Sequence, residues 1–189
     1  MNLRILVTGG YGLVGKSLQK VVLQQLQNKH NLSDCEFYFL SRQDCDLRDA
    51  QRTTEWFIEY KPDIVVHLAS RVGGVYDNIG GNYNYLVDNA RININVVDAC
   101  KKTDVKLLIN ILSTCIFPDK NISYPLTSDQ LHNGLPHDSN IGYAYSKRIL
   151  HLASHLVSQS NTIKVVNLTP TNLYGEYDNY NLKSSHVIP

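Results

Sequence analysis

A glycine-spaced turn near the start of the chain sets the tightest limit on its fold. The segment Thr8-Gly9-Gly10-Tyr11-Gly12-Leu13-Val14-Gly15 follows an apolar run, Arg4 to Val7, and opens a helical stretch, Leu13 to Gln27. Glycines at this spacing permit a turn that side chains would block and let the backbone come close to a ligand. The helix that follows aims its free N–H groups and the positive end of its dipole at that turn, which suits a diphosphate. Strand, turn and helix together predict the phosphate-binding turn of a nicotinamide dinucleotide site. Gly9, Gly12, Leu13, Val14 and Gly15 are its cofactor-binding residues. A glycine-rich turn that only joins strand to helix is the alternative, and the flanking elements weigh against it.

Further along, Cys35 to Leu40, Asp63 to Leu68, Val105 to Leu112 and Ile163 to Leu168 read as buried strands. Ala50 to Tyr60, Tyr85 to Lys102 and Tyr143 to Ser158 read as helices. Continuous apolar strands alternating with amphipathic helices predict βαβ units around a parallel sheet covered on both faces. The expected fold class is α/β, a Rossmann-type doubly wound parallel sheet. Residues 1–169 are expected to form this domain. Residues 170–189 lack periodicity and read as the start of a further, substrate-binding region. Ligands of such sheets lie outside the carboxyl ends of the strands, where Gly9, Arg42, Ser70, Ser113 and Thr171 follow the five strands in turn.

Charge and cysteine spacing remove several other functions. A formal net charge of +1 over 189 residues gives no bulk attraction to nucleic acid or an anionic membrane. No segment approaches the roughly 20 apolar residues of a membrane span. The first apolar run passes into glycines too soon for a signal peptide, so a cytoplasmic location is expected. Cys35, Cys45, Cys100 and Cys115 lack CxxC spacing, and neither a metal site nor a disulfide framework is expected.

The second strand ends in Leu40-Ser41-Arg42, where NAD sites usually carry an Asp or Glu that grips the ribose hydroxyls. Arg42 instead offers a cation for a 2′-phosphate, with Ser41 as a possible donor, so NADP is favoured. An exposed arginine with no ligand is the alternative. Asp46 and Leu47 follow, placed either to reach the adenine or to cap the next helix.

Tyr143 and Lys147 stand at i and i+4 of a predicted helix and share a face. A phenol with a pKa near 10 exchanges protons poorly at neutral pH. A nearby ammonium and an oxidised nicotinamide would favour the phenolate and bring that value down. Ser113 closes the fourth strand, where a hydroxyl can bond a carbonyl oxygen that gains negative charge. Serine at a strand end is also a common turn residue.

These residues and their surroundings resemble the extended short-chain dehydrogenase/reductases acting on nucleotide sugars, and within them the GDP-L-fucose synthase family. The resemblance rests on Ile5 to Gly15, on His67-Leu68-Ala69-Ser70-Arg71-Val72-Gly73-Gly74 and on Leu112-Ser113-Thr114-Cys115-Ile116-Phe117-Pro118. It continues through His132-Asn133-Gly134, Gly142-Tyr143-Ala144-Tyr145-Ser146-Lys147-Arg148 and Pro170-Thr171-Asn172-Leu173-Tyr174-Gly175, and ends at His186-Val187-Ile188-Pro189. Ser70, where alanine is usual, and Glu176, where proline is common, are small departures.

That resemblance implies NADPH-dependent 3,5-epimerisation and 4-reduction of a GDP-4-keto-6-deoxy-sugar. Cys115 would be the base and His186 the acid of the epimerisation. Ser113 and Tyr143 would polarise the keto oxygen, Tyr143 would give the final proton, and Lys147 would tune it and hold the nicotinamide ribose. Ala69 and Val72 would line the cofactor groove, and Asn172 would touch substrate or nicotinamide. It also implies a GDP-sugar partner, a possible homodimer, and a smaller C-terminal substrate domain that this chain lacks. An NADP-binding module without turnover, another nucleotide-sugar epimerase or dehydratase, and a domain that binds no cofactor remain open alternatives.

Overall fold

The structure, a computed structural model, describes residues 2–27, 32, 34–120, 122–159, 162–181 and 185, with backbone only for 75–79. Five strands and four helices alternate: β1 Leu3–Thr8, α1 Leu13–Gln27, β2 Cys35–Leu40, α2 Ala50–Tyr60, β3 Ile64–His67, α3 Val75–Lys102, β4 Leu107–Ile111, α4 Ile141–Ser158 and β5 Lys164–Leu168. Three short 3-10 turns, Thr114–Ile116, Ser128–His132 and Asp138–Asn140, occupy the connection between β4 and α4.

The strands form one sheet in the order β2-β1-β3-β4-β5, and every pairing is parallel. Ile5, Leu6 and Val7 at its centre are buried, as are Val65 and Leu108 on the neighbouring strands. Leu6, Val65 and Leu108 form one apolar core with Phe57 of α2, with Val96, Ala99 and Cys100 of α3, and with Leu150 of α4. The chain leaves β1 towards β2 on one side and reaches β3 on the other, so the strand order reverses beside β1. That reversal opens a crevice at the carboxyl ends of β1 and β3, where such sheets bind ligands.

Two departures from the expected elements have physical causes. The third helix begins at Val75 rather than Tyr85, because contacts override a poor local signal from Gly80, Gly81 and the neighbouring asparagines. Asn82 Oδ1 accepts from the Gly142 N–H at 2.9 Å, and its Nδ2 donates to the Asp138 carbonyl at 3.3 Å. These bonds fasten the first half of α3 to the start of α4. The fifth strand lies at the sheet edge, where Val166 and Leu168 are 43% and 47% exposed. Its apolar run therefore does not mark a strand buried on both faces.

Candidate functional site

The glycine turn is built by close approaches that side chains would prevent. Gly9 has φ +68°, and a Cβ there would lie 2.7 Å from the Ala69 nitrogen. A Cβ on Gly10 would come within 2.6 Å of Phe39 Cβ, and one on Gly15 would overlap the Gly10 carbonyl. Gly12 differs. A Cβ on it would meet only Gly9 O, at an ordinary 3.5 Å. Internal packing does not require glycine at 12, whereas a diphosphate lying against the turn would, so the turn fits a dinucleotide.

A cavity of about 670 Å³ runs from this turn along the strand ends. Gly9, Gly12, Arg42, Asp46, Leu47 and Ala69 of the expected cofactor residues line it. Leu13, Val14 and Gly15 lie in the first turn of α1 behind it, while Val72 and Asn172 are exposed. Ser41 is not free to donate outward. Its hydroxyl gives its hydrogen to Asp44 Oδ2 at 2.7 Å, and its N–H donates to the same oxygen at 2.8 Å. Two carboxylates, Asp44 and Asp46, thus stand beside Arg42 although the strand itself ends without one. The Ser-x-x-Asp spacing is the local turn signal that could have revealed the first of them.

The second half of the site gathers after β4. Ser113 is extended and caps the following 3-10 turn, its Oγ accepting from the Cys115 N–H at 3.4 Å. The Cys115 thiol donates to the same oxygen at 3.1 Å. Arg148 of α4 reaches back to this segment, its Nε donating to Ile116 O at 2.7 Å and its Nη2 to Gly134 O at 2.9 Å. Tyr143 and Lys147 lie one helical turn apart, with the ammonium 5.7 Å from the ring centroid. Lys147 Nζ donates to the Ile111 carbonyl at 2.8 Å.

Burial governs the electrostatics here. It pulls the Lys147 ammonium down to about 8, the neighbouring Cys115 charge opposing it. It pushes the Cys115 thiol above its ordinary value, while the Ser113 hydrogen bond and the Lys147 charge act in the other direction. It also raises the Tyr143 phenol, with Cys115 adding to the effect and Ser70 opposing it. The expected lowering of the Tyr143 pKa is therefore absent from the chain by itself. Desolvation prevails, because the Lys147 ammonium turns to the Ile111 carbonyl rather than to the phenol.

A buried polar network joins the two halves. Thr8 Oγ1 donates to His67 Nδ1 at 2.8 Å and accepts from the Ala69 N–H at 3.3 Å. His67 Nε2 donates to Asn93 Oδ1 at 3.0 Å, and Asn93 Nδ2 donates to the Ser146 carbonyl at 3.0 Å. These directions follow from a neutral imidazole, since burial holds the His67 pKa down to about 3. The network ties β1, the Ala69 turn and the backbone beside Lys147 into one unit. Sequence reasoning gave no role to Asn93 or Arg148, because neither belongs to a spacing rule and both act through the fold. His186, the acid implied by resemblance, lies outside the described residues. Among the described residues no group of three or more His, Cys, Asp or Glu could hold a metal ion, and all four cysteines are free thiols.

The chain is similar to known proteins. The family model described as the NAD dependent epimerase/dehydratase family matches residues 5–189. A GDP-L-fucose synthase from Dictyostelium discoideum is 42% identical over 98% of this chain and 56% of its own length. A probable GDP-L-fucose synthase from Drosophila melanogaster is 40% identical with the same coverage. Among solved structures, a GDP-L-fucose synthetase from Naegleria fowleri bound to NADP superposes with a TM-score of 0.85 at 38% identity, over 98% of this chain and 55% of that one. The chain thus spans about half the length of these relatives. Matched by the family model over nearly all of its residues, the chain belongs to the NAD dependent epimerase/dehydratase family.

Proposed function

We propose that this chain carries the NADPH-binding and catalytic part of an enzyme that epimerises GDP-4-keto-6-deoxy-D-mannose at carbons 3 and 5 and then reduces the ketone, giving GDP-L-fucose. The observation that carries this reading is the Cys115 thiol, 3.1 Å from Ser113 Oγ, within the field of Lys147 and Tyr143. Reduction of a ketone needs Ser113, Tyr143 and Lys147 but no thiol. A base among them suits proton removal beside the same carbonyl. The likeness to GDP-L-fucose synthases and to an NADP-bound structure supports it.

NADPH, when bound, supplies the hydride for the reduction. The chain's residues do the rest. Cys115, as thiolate, takes the proton from the carbon next to the ketone. Ser113 and Tyr143 donate hydrogen bonds to the oxygen as it becomes an enolate. His186 returns a proton to the opposite face, which inverts the carbon. In the reduction Tyr143 gives its phenolic proton to the ketone oxygen, and the Lys147 charge steadies the phenolate left behind. At the other end Gly9, Gly12 and Gly15 would hold the diphosphate, and Arg42 would supply the cation for a 2′-phosphate. A homodimer through α3 and α4 belongs to the same proposal, supported by Ile94, Leu152 and Leu156, which these helices leave exposed.

The test is oxidation of NADPH by the protein in the presence of GDP-4-keto-6-deoxy-D-mannose, together with NADPH binding followed by fluorescence. Binding with turnover is expected. Binding without turnover would leave a cofactor module.

A further inference from the structure

Five charged side chains line the cavity wall beside the strand ends, and they alternate in sign. Arg42 Nε lies 3.5 Å from Asp46 Oδ2. Arg48 grips both oxygens of the same carboxylate, with Nε donating to Oδ1 at 2.9 Å and Nη2 to Oδ2 at 2.5 Å. Its own N–H donates to Asp46 Oδ1 at 3.1 Å. Arg48 Nη1 then reaches Asp88 Oδ1 at 3.4 Å, and Arg71 donates to Asp88 Oδ2 at 2.8 Å. Arg71 rests on the Tyr85 ring, 4.9 Å from its centroid.

The two contacts on Asp46 are unequal. Arg48 forms a forked, charge-assisted pair, the stronger geometry, and it holds the Asp46 carboxyl down to about 2. Arg42 touches one oxygen at 3.5 Å, longer than every Arg48 contact with that carboxylate, and its side chain is 74% exposed. Asp46 is thereby satisfied without Arg42. Without Arg48, Asp46 would present an uncompensated negative charge to the cavity and claim Arg42 as its counter-ion. Both changes would oppose a second anion at that place.

We infer that Arg48 is the specificity-determining residue for the cofactor's 2′-phosphate, acting as a positioning residue that neutralises Asp46 and so leaves Arg42 available to the phosphate. This rests on the proposed NADPH function. It adds that the preference over NADH is set by a residue lying beyond the strand end, through the charge of its neighbour Asp46.

The experiment titrates NADPH and NADH by fluorescence against the whole chain and the variants Arg48→Gln, Asp46→Asn and the two combined. Arg48→Gln is expected to weaken NADPH by about tenfold, equivalent to about 1.4 kcal/mol, while NADH changes little. Adding Asp46→Asn to Arg48→Gln is expected to restore most of the preference, because the offending charge is gone. Asp46→Asn alone, which frees both arginines, is expected to tighten NADPH and not NADH. That arm does not depend on Arg48→Gln folding. Equal losses for the two cofactors, no rescue in the double variant, or weaker NADPH binding by Asp46→Asn would each overturn the role of Arg48. Failure of the unaltered chain to bind either dinucleotide would overturn this inference and the cofactor reading together. NADPH binding that Arg48→Gln leaves unchanged would overturn the inference alone.

Discussion

The backbone carbonyl of Asn82 in α3 occupies the space that a side chain on Gly142 in α4 would need. A Cβ on Gly142 would overlap that oxygen and lie 2.7 Å from its carbon. Asn82 Oδ1 also accepts from the Gly142 N–H at 2.9 Å, so the crossing is both tight and directional. Backbone cannot swing aside as a flexible side-chain tip can. Gly142→Ala should therefore part the two helices and cost about 1–3 kcal/mol, as overpacking does. Thermal melting should fall by roughly 2–4 °C for each kcal/mol lost. Because Tyr143 is the next residue, proton transfer should suffer more than NADPH binding. An unchanged melting temperature would refute the crossing as described.

The glycine turn and the alternation of elements were legible because each rests on local rules: glycine conformational freedom at Gly9, and apolar runs such as Ile5 to Val7. The first half of α3 was not, since Gly80 and Gly81 speak against helix and only contacts with α4 hold it. In the site, Tyr143 and Lys147 were legible as a pair with helical spacing. The direction of their electrostatics was not. Burial depends on what the fold places around a group, and no spacing rule shows that Lys147 Nζ ends on the Ile111 carbonyl. The Asp46–Arg48 fork escaped for a similar reason: a two-residue separation predicts no contact until the turn brings the side chains together.

Cys115→Ser should separate epimerisation from cofactor binding. A hydroxyl in place of the thiol is a much weaker base, so exchange of solvent deuterium into carbons 3 and 5 of the sugar should slow by about 10²-fold or more. NADPH affinity should stay within about threefold, a change of less than 1 kcal/mol. Burial raises the Cys115 thiol, so its thiolate accumulates only above the ordinary thiol range. The exchange rate should accordingly keep rising with pH through 8 to 9. Equal losses of exchange and binding would remove Cys115 from proton transfer.

His67 should govern part of the acid sensitivity of the fold. It is fully buried between Thr8 and Asn93, and its pKa is held down from 6.5 to about 3. Between those values the unfolded chain takes up a proton that the folded chain refuses. Stability should therefore be lost as pH falls from 6.5 towards 3, at about 1.4 kcal/mol per unit at most. Urea midpoints at pH 7 and pH 4.5 should differ less in His67→Gln than in the unaltered chain. Identical differences would show that His67 is not the titrating group.

Lys147 should be a residue whose function works against stability. Its ammonium is buried with the Ile111 carbonyl as its hydrogen-bond acceptor, and its pKa is drawn from 10.5 down to about 8. At pH 7 the fold carries a proton at a place where burial disfavours it. Replacement by methionine removes that buried charge at the loss of one hydrogen bond, which is about 1–3 kcal/mol when made to a charged group. A shift of this size outweighs that loss by about 1 kcal/mol, so Lys147→Met should melt a few degrees higher at pH 7. Between pH 8 and 10.5 the unfolded lysine keeps its proton while the folded one releases it, so the unaltered chain gains stability from this group as pH rises. That gain should be missing from the variant, and the two melting temperatures should converge at high pH. NADPH oxidation should be lost throughout. A variant that melts lower than the unaltered chain at pH 7 would show that the Ile111 bond outweighs the cost of the buried charge.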